Sequence, residues 1–167
     1  PLSQFPFTLE LLRRLKAEGI NTALDTTGFA PTARILELAP YVDTFLYDLK
    51  HMDSERHRAV TGVPNELILA NAAALARAGA HFQIRMPVIP GFNDSDENFA
   101  AFSDFCLSLG AAVDTVQLLP YHRFGEVKYE RLNRKCPMPD SVAPPDESEI
   151  KRRVRQLCSL GLHAVIH

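Results

Sequence analysis

The sequence predicts an α/β protein built on a parallel sheet, either an open doubly wound sheet or part of a (βα) barrel. Short apolar runs of strand length alternate along the chain with longer segments of helical periodicity. Gly19 and Gly79 follow two of the helical segments, at the position where glycine commonly ends a helix. Serial alternation of this kind indicates a parallel sheet covered by helices, with any site at the carboxyl ends of the strands.

The first helix is predicted over residues 7–18, where apolar residues at helical spacing form a stripe expected to face a core: Phe7, Leu11, Leu12 and Leu15. Short apolar runs with proline or glycine boundaries then predict a strand, helix, strand, helix and strand at residues 20–24, 31–38, 44–49, 67–78 and 81–89.

The second half of the chain continues the pattern. Asp94 and Glu97 resemble a capping box, which predicts a helix whose buried stripe is Phe99, Phe102, Cys106 and Leu109. A strand, a helix and a closing strand are predicted at residues 115–119, 146–160 and 162–166. The stretch 120–145 is rich in proline and charge, and we expect it to be irregular and longer than a simple connector.

Composition limits the class of protein. The 167 residues are 46% hydrophobic and 23% charged, which is typical of a single globular domain over residues 1–167. With 18 basic against 20 acidic residues, no overall field would attract nucleic acid or anionic lipid. Membrane-spanning and signal-peptide patterns are absent, and the three cysteines (Cys106, Cys136 and Cys158) form neither a disulfide framework nor a C-x-x-C metal site. We therefore expect a cytoplasmic protein without nucleic-acid or membrane partners.

Polar residues recur at the carboxyl ends of four predicted strands: Asp25 with Thr26, Asp48 with Lys50, Arg85, and Tyr121 with His122. Each alone is better explained by a helix cap or an ion pair at the rim, but four consecutive strand ends favour a site. Asp48 and Lys50 are two residues apart on one strand, so their side chains share a face. Arg85 lies within an apolar strand and needs an anionic partner, either a ligand carboxylate or Asp48.

Four motifs, taken in order, resemble the glycyl-radical enzyme activating enzymes typified by the pyruvate formate-lyase activating enzyme family: Leu24-Asp25-Thr26-Thr27-Gly28-Phe29, Tyr47-Asp48-Leu49-Lys50, Ile84-Arg85 through Val88-Ile89-Pro90-Gly91-Phe92-Asn93-Asp94, and Leu118-Leu119-Pro120-Tyr121-His122. The resemblance covers nearly the whole chain. It implies radical S-adenosylmethionine (radical SAM) chemistry on a partial (βα) TIM-like barrel, with a 4Fe-4S cluster that reductively cleaves the cofactor. The implied partners are a glycyl-radical enzyme, from which a 5′-deoxyadenosyl radical takes a glycine hydrogen, and an electron donor such as flavodoxin.

The resemblance also implies roles for single residues. Asp25, Thr26 and Asp48 correspond to a monovalent-cation site beside the cofactor, with oxygen ligands that suit a hard cation. Lys50 and Arg85 would lie near the methionyl carboxylate of S-adenosylmethionine, and His122 near its adenosine end. No catalytic residue is assigned within the chain.

The chain departs from the family pattern at its beginning. The family's C-x-x-x-C-x-x-C cluster motif and its Gly-Gly-Glu segment, which holds the methionyl amine, do not occur in these residues. We therefore expect the C-terminal portion of a radical SAM barrel lacking its N-terminal strands, with the iron-sulfur ligands encoded upstream of Pro1 and no catalysis by these residues alone. The strand at 20–24 would then be an unpaired edge through which the chain self-associates.

Two other functions are compatible with the residues. Lys50 at a strand end beside Asp48 would suit a Schiff-base lyase of the aldolase type, in which a lysine amine attacks a carbonyl substrate. A non-catalytic domain that only binds a protein partner is the other alternative.

Overall fold

The computed structural model describes residues 1–135 and 141–167. Seven α-helices and five strands follow one another in the described residues as α1 (Phe5–Ala17), β1 (Ala23–Thr26), α2 (Thr32–Leu38), β2 (Thr44–Asp48), α3 (Ser54–Thr61), α4 (Glu66–Arg77), β3 (Phe82–Val88), α5 (Asp96–Ser108), β4 (Val113–Pro120), α6 (Glu126–Arg131), α7 (Glu147–Ser159) and β5 (Ala164–Ile166). The predicted loop cysteine Cys136 lies outside the described residues.

All five strands form one parallel sheet in the order β1-β2-β3-β4-β5. This confirms the predicted α/β class. Strand order also decides between the two architectures, because a doubly wound sheet reverses its order at a switch point, whereas a barrel adds strands sequentially. The sheet is therefore an arc of a (βα) barrel in which β1 and β5 are the edge strands.

The core lies between the helices and one face of the sheet. Residues of β2 and β3 alternate between fully and partly buried, and Phe45, Tyr47 and Phe82 of the buried set pack ring to ring. The other face of the sheet carries polar groups, among them Gln117, which donates to the Gln83 side chain over 3.1 Å. One face thus supplies hydrophobic stabilisation and the other is available for a site.

Helix α1 departs from its predicted packing. Thr8, Leu9 and Leu12 are its buried residues, whereas Phe7 is 68% exposed and Leu11 is also exposed. The predicted stripe is therefore only partly correct, because the buried side of the helix runs through Thr8, Leu9 and Leu12. Helix α5 agrees better, since all four residues of its predicted stripe are buried. Its N-terminal cap is Ser95, whose hydroxyl accepts a hydrogen bond from Asn98 N, and not the predicted Asp94.

Three other predictions are corrected by the structure. Strand β1 begins at Ala23, three residues later than predicted, so Asp25 and Thr26 belong to the strand itself. Helix α3 was not predicted, because His57 is its single buried residue and it has no apolar stripe. Part of the stretch expected to be irregular forms the short helix α6.

No single helix in the described part of the chain is long and apolar enough to cross a membrane. Helices α3 and α4 reach that length and composition only together, across a bend of 109°.

Candidate functional site

An ionic cluster lies on one face of the sheet, at the carboxyl ends of β1 and β2 and at the middle of β3. Asp48 and Arg85 are directly paired in register, so their side chains leave the sheet on the same face. The Arg85 guanidinium donates to Asp48 Oδ1 from Nε over 2.8 Å, and its Nη2 lies 2.7 Å from the same oxygen. Nη2 also donates to Asp25 Oδ1 over 2.6 Å. Both hydrogen-bond partners of Arg85 are thus protein carboxylates, and one of them, Asp48, is a partner that the sequence predicted.

Lys50 completes the cluster, with its Nζ atom 3.8 Å from Asp48 Oδ2. Burial alone would lower the pKa of Arg85, but the hydrogen bonds and charges of Asp25 and Asp48 outweigh this effect and raise it above its ordinary value. Two acidic and two basic side chains therefore form a neutral group, held in position by the sheet and open to solvent on one side.

Thr26 lies on the opposite face of β1 from Asp25. Its side chain is buried, and the hydroxyl oxygen accepts a hydrogen bond from Gly28 N over 3.0 Å. Among the predicted cation ligands, the structure therefore brings together the side chains of Asp25 and Asp48 but not that of Thr26. The described residues contain no group of three or more His, Cys, Asp or Glu side chains arranged to hold a metal ion.

The turn after β1 is held from the core side. Gly28 has a φ of +71°, and a Cβ atom at this position would lie 1.8 Å from the Tyr47 hydroxyl, so no larger residue fits there. Asn71 of α4 donates from Nδ2 to Gly28 O over 2.7 Å and to Ala30 O over 2.8 Å. Gly28 thus allows close approach to Tyr47, and this packing fixes the backbone that follows Asp25.

The loop that carries Lys50 is held by three buried asparagines to which the sequence motifs assign no role. Asn93 Nδ2 donates to Lys50 O over 2.8 Å and to Pro87 O over 2.5 Å, and its Oδ1 accepts from Ile89 N over 2.8 Å. Asn65 donates to the carbonyls of the two residues after Lys50, and Asn98 accepts from Met52 N. The one available signal was an asparagine at the start of a helix, since Asn65 directly precedes α4 and Asn98 lies in the first turn of α5.

His51, next to Lys50, is neutral in this network. Its Nδ1 accepts a hydrogen bond from Asp53 N over 2.9 Å, so Nε2 carries the proton toward Phe92 O, 3.1 Å away. Burial lowers the pKa of His51, and the nearby Arg56 charge acts in the same direction. The imidazole therefore serves as a fixed hydrogen-bonding link between two loops rather than as a free base.

His122 follows β4 and is exposed. Its ring lies against that of Phe124 with 4.4 Å between centroids, and Nδ1 accepts from Phe124 N over 3.3 Å. A chain of ion pairs links Asp25 to Arg85, Arg85 to Asp48 and Asp48 to Lys50, whereas no hydrogen bond or ion pair among the described residues joins His122 to them. The cluster can bind a ligand with separated charges, such as an amino-acid group, with its guanidinium and ammonium groups toward the ligand's carboxylate and its carboxylates toward the ligand's ammonium.

Comparison with known proteins assigns the chain to a family. Residues 1–103 match the model of the radical SAM superfamily. The chain is 44% identical over 140 residues to the isethionate sulfite-lyase activating enzyme of Desulfovibrio desulfuricans, covering 83% of this chain and 44% of that protein. It is 33% identical to the indoleacetate decarboxylase activating enzyme of Tractidigestivibacter scatoligenes, covering 100% of this chain and 52% of that protein. The chain thus spans about half the length of the curated relatives it matches.

Solved structures agree with this assignment. A domain of the pyruvate-formate lyase-activating enzyme of Bacteroides vulgatus superposes with a TM-score of 0.84 and 32% identity, over 100% of this chain and 93% of that domain. A radical SAM methyltransferase from Sphaerobacter thermophilus superposes with a TM-score of 0.75 at 19% identity, over 100% of this chain and 48% of that one. The second likeness concerns the fold alone, and it agrees with an arc of a radical SAM barrel.

Proposed function

Because this chain belongs to the radical SAM superfamily, and within it to the glycyl-radical enzyme activating enzymes, we propose that the protein generates a glycyl radical on a partner enzyme. The observation that carries the proposal is the cluster of Asp25, Asp48, Lys50 and Arg85 at the carboxyl edge of a sequentially ordered parallel sheet. When bound, S-adenosylmethionine and a 4Fe-4S cluster would supply, with one electron from a donor such as flavodoxin, the radical that takes the glycine hydrogen.

The donor groups of the ionic cluster suit the amino-acid end of S-adenosylmethionine. Lys50 Nζ is only loosely paired at 3.8 Å from Asp48 Oδ2. Within the described residues, Nη1 of Arg85 has no hydrogen-bond partner, since its bonds to carboxylates use Nε and Nη2. Lys50 and Arg85 would therefore hold the methionyl carboxylate, and the exposed His122 would contact the adenosine end.

A monovalent cation is the finer part of this proposal. Asp25 and Asp48 share the Arg85 guanidinium, so a ligand carboxylate that draws on Arg85 would leave their negative charge partly uncompensated. A cation at these two carboxylates would restore the balance. The Thr26 hydroxyl accepts a hydrogen bond from Gly28 N, so the proposed cation ligands are the carboxylates of Asp25 and Asp48.

The iron-sulfur ligands would come from outside these 167 residues. The cysteines at 106, 136 and 158 are too far apart in sequence for a C-x-x-x-C-x-x-C motif, and Cys106 is buried. Burial raises the pKa of the Cys106 thiol to about 12, which disfavours the thiolate that iron requires. We propose that these residues hold the amino-acid end of S-adenosylmethionine but do not cleave the cofactor by themselves.

Self-association belongs to the same proposal. Among the described residues, strand β1 pairs with β2 alone, and a cleft of about 590 Å³ separates it from the exposed apolar side of α1. An open strand edge beside apolar surface favours pairing with a second copy of the chain. Light scattering over a range of concentrations would show a dimer; a monomer with β1 amides well protected from exchange would contradict it.

Of the two alternatives, a Schiff-base lyase is disfavoured by the surroundings of Lys50. A nucleophilic lysine is usually desolvated in an apolar pocket or placed next to another cation. Lys50 is partly exposed, and among the described residues its ion-pair partner is the Asp48 carboxylate. A protein-binding domain without catalysis would predict no dependence of any reaction on Asp48.

The decisive experiment uses the reconstituted protein that contains both these residues and the cluster cysteines. We expect formation of 5′-deoxyadenosine and a glycyl-radical signal by electron paramagnetic resonance in the partner enzyme. Asp48→Asn should reduce cofactor cleavage at least about tenfold while costing only ~1–2 kcal/mol of stability. The exposed Asp104→Asn is the matched control. Equal cleavage of the cofactor by both variants would indicate that Asp48 forms only a structural ion pair.

A further inference from the structure

The segment from Phe124 to Lys135 forms a surface that the proposed cofactor site does not use. It contains the 3-10 turn Arg123–Gly125 and helix α6. Three apolar side chains are unusually exposed for so short a segment: Phe124 at 82%, Leu132 at 65% and Val127 at 50%. An apolar surface of this kind on a loop is commonly an interaction site.

Charge distinguishes this surface from the rest of the protein. Residues 121–135 hold five basic and two acidic residues, although the whole chain has a net charge of −2. Lys128, Arg131, Arg134 and Lys135 are exposed, and among the side chains that the structure describes none of the four takes part in an ion pair. Basic groups without internal counter-charges favour an acidic partner surface.

The surface follows the carboxyl end of β4, at the edge of the sheet where the proposed cofactor site lies. Phe124 stacks on His122, which the family resemblance places at the adenosine end, and the whole segment follows the carboxyl end of β4. A reaction whose substrate is a protein backbone glycine requires the partner polypeptide to reach this edge of the sheet. A protein seated on Phe124 would therefore touch the site and be held beside it.

We propose that Phe124, Val127 and Leu132, with the basic side chains of α6 around them, form the docking surface for the protein substrate. The partner surface is expected to be apolar at its centre and acidic at its rim. This inference rests on the proposed function and names the part of the chain that recognises the partner enzyme.

Binding of the 167-residue chain to purified glycyl-radical enzymes tests the proposal, with isethionate sulfite-lyase and pyruvate formate-lyase as the probes. Phe124→Ser/Leu132→Ser should weaken binding at least about tenfold, since exposed aromatic anchors dominate such interfaces. Val127→Ser has a matched control in Val60→Ser, because Val60 is a similarly exposed valine on α3. The control Val60→Ser should change affinity less than about twofold.

Charge is tested separately with Arg131→Glu against Arg58→Glu, an exposed arginine on α3. Binding by the native chain should weaken as NaCl rises from about 0.05 to 0.3 M, and Arg131→Glu should reduce this dependence while Arg58→Glu should not. Circular dichroism melts confirm that each variant folds.

The outcomes separate the two proposals. Binding that is unaffected by every surface variant overturns the docking surface and leaves the proposed function intact. No binding of the native chain to either probe overturns the docking surface, and the glycyl-radical assay of the longer reconstituted protein decides the proposed function separately. Vesicles of phosphatidylcholine and phosphatidylglycerol provide the last arm, because loss of vesicle binding in the variants with unchanged protein binding would identify a membrane surface and refute the proposal.

Discussion

Replacement of Gly28 by alanine tests whether the turn after β1 is fixed by its contact with Tyr47. Alanine at a φ of +71° costs ~1 kcal/mol in backbone strain. Its Cβ would also meet the Tyr47 hydroxyl oxygen at 1.8 Å and the adjacent ring carbon at 2.3 Å. Tyr47 is fully buried and donates to Ile68 O over 2.7 Å, so it has no free space into which to move.

Overpacking of a core of this kind costs ~1–3 kcal/mol, and loss of the buried hydrogen bond costs another ~1–3 kcal/mol. The expected destabilisation is therefore about 3 to 7 kcal/mol, or roughly 6 °C or more in Tm for a chain of this length. Gly79→Ala is the matched control, because Gly79 has a φ of +82° and no atom within 4 Å of the added Cβ.

The control should lose only ~1 kcal/mol. Urea denaturation and thermal melts followed by circular dichroism measure both variants. Equal losses for Gly28→Ala and Gly79→Ala would show that backbone strain alone explains the effect and that Tyr47 yields freely.

Two further predictions concern the loop that carries Lys50. Asn93→Ala removes a hydrogen-bond partner from three partly buried backbone groups, so it should cost ~2–4 kcal/mol and increase hydrogen exchange at residues 49–53; unchanged exchange would contradict this role. Burial lowers the pKa of His51 below its unfolded value of about 6.5, so the unfolded state binds more protons and stability falls as pH drops from about 6.5 through the folded pKa. His51→Gln should show a smaller loss of Tm between about pH 7.5 and 5 than His163→Gln, an exposed control; identical pH profiles would refute it.

The alternation of strands and helices was predictable because each buried segment has a clear period. Elements without such a pattern were missed or misplaced. Helix α3 is short and buries only His57, and the run starting at Ile20 looks like a strand although the ladder begins at Ala23. For Phe7, apolar character predicted burial, but exposure depends on what the rest of the fold places beside it.

The sequence predicted which residues lie at the site but not which of them form hydrogen bonds with one another. Strand-end logic identified Asp25, Asp48, Lys50 and Arg85, and spacing alone placed Asp48 beside Lys50. That Arg85 also reaches Asp25, 60 residues earlier, follows from the order and register of three strands. The sequence alone does not contain that register, and the same is true of the amide contacts that Asn93 makes with Lys50.

The sequential strand order also has a consequence for how the molecule folds and opens. Ala23 pairs with Thr44, 21 residues away, whereas Val116 pairs with Ala164, 48 residues away. Closing the longer loop costs ~0.7 kcal/mol more in chain entropy, and β5 offers only three paired residues in return. We expect β5 to join last during folding and to detach first in partial unfolding, while the strands that carry Asp25, Asp48 and Arg85 stay assembled.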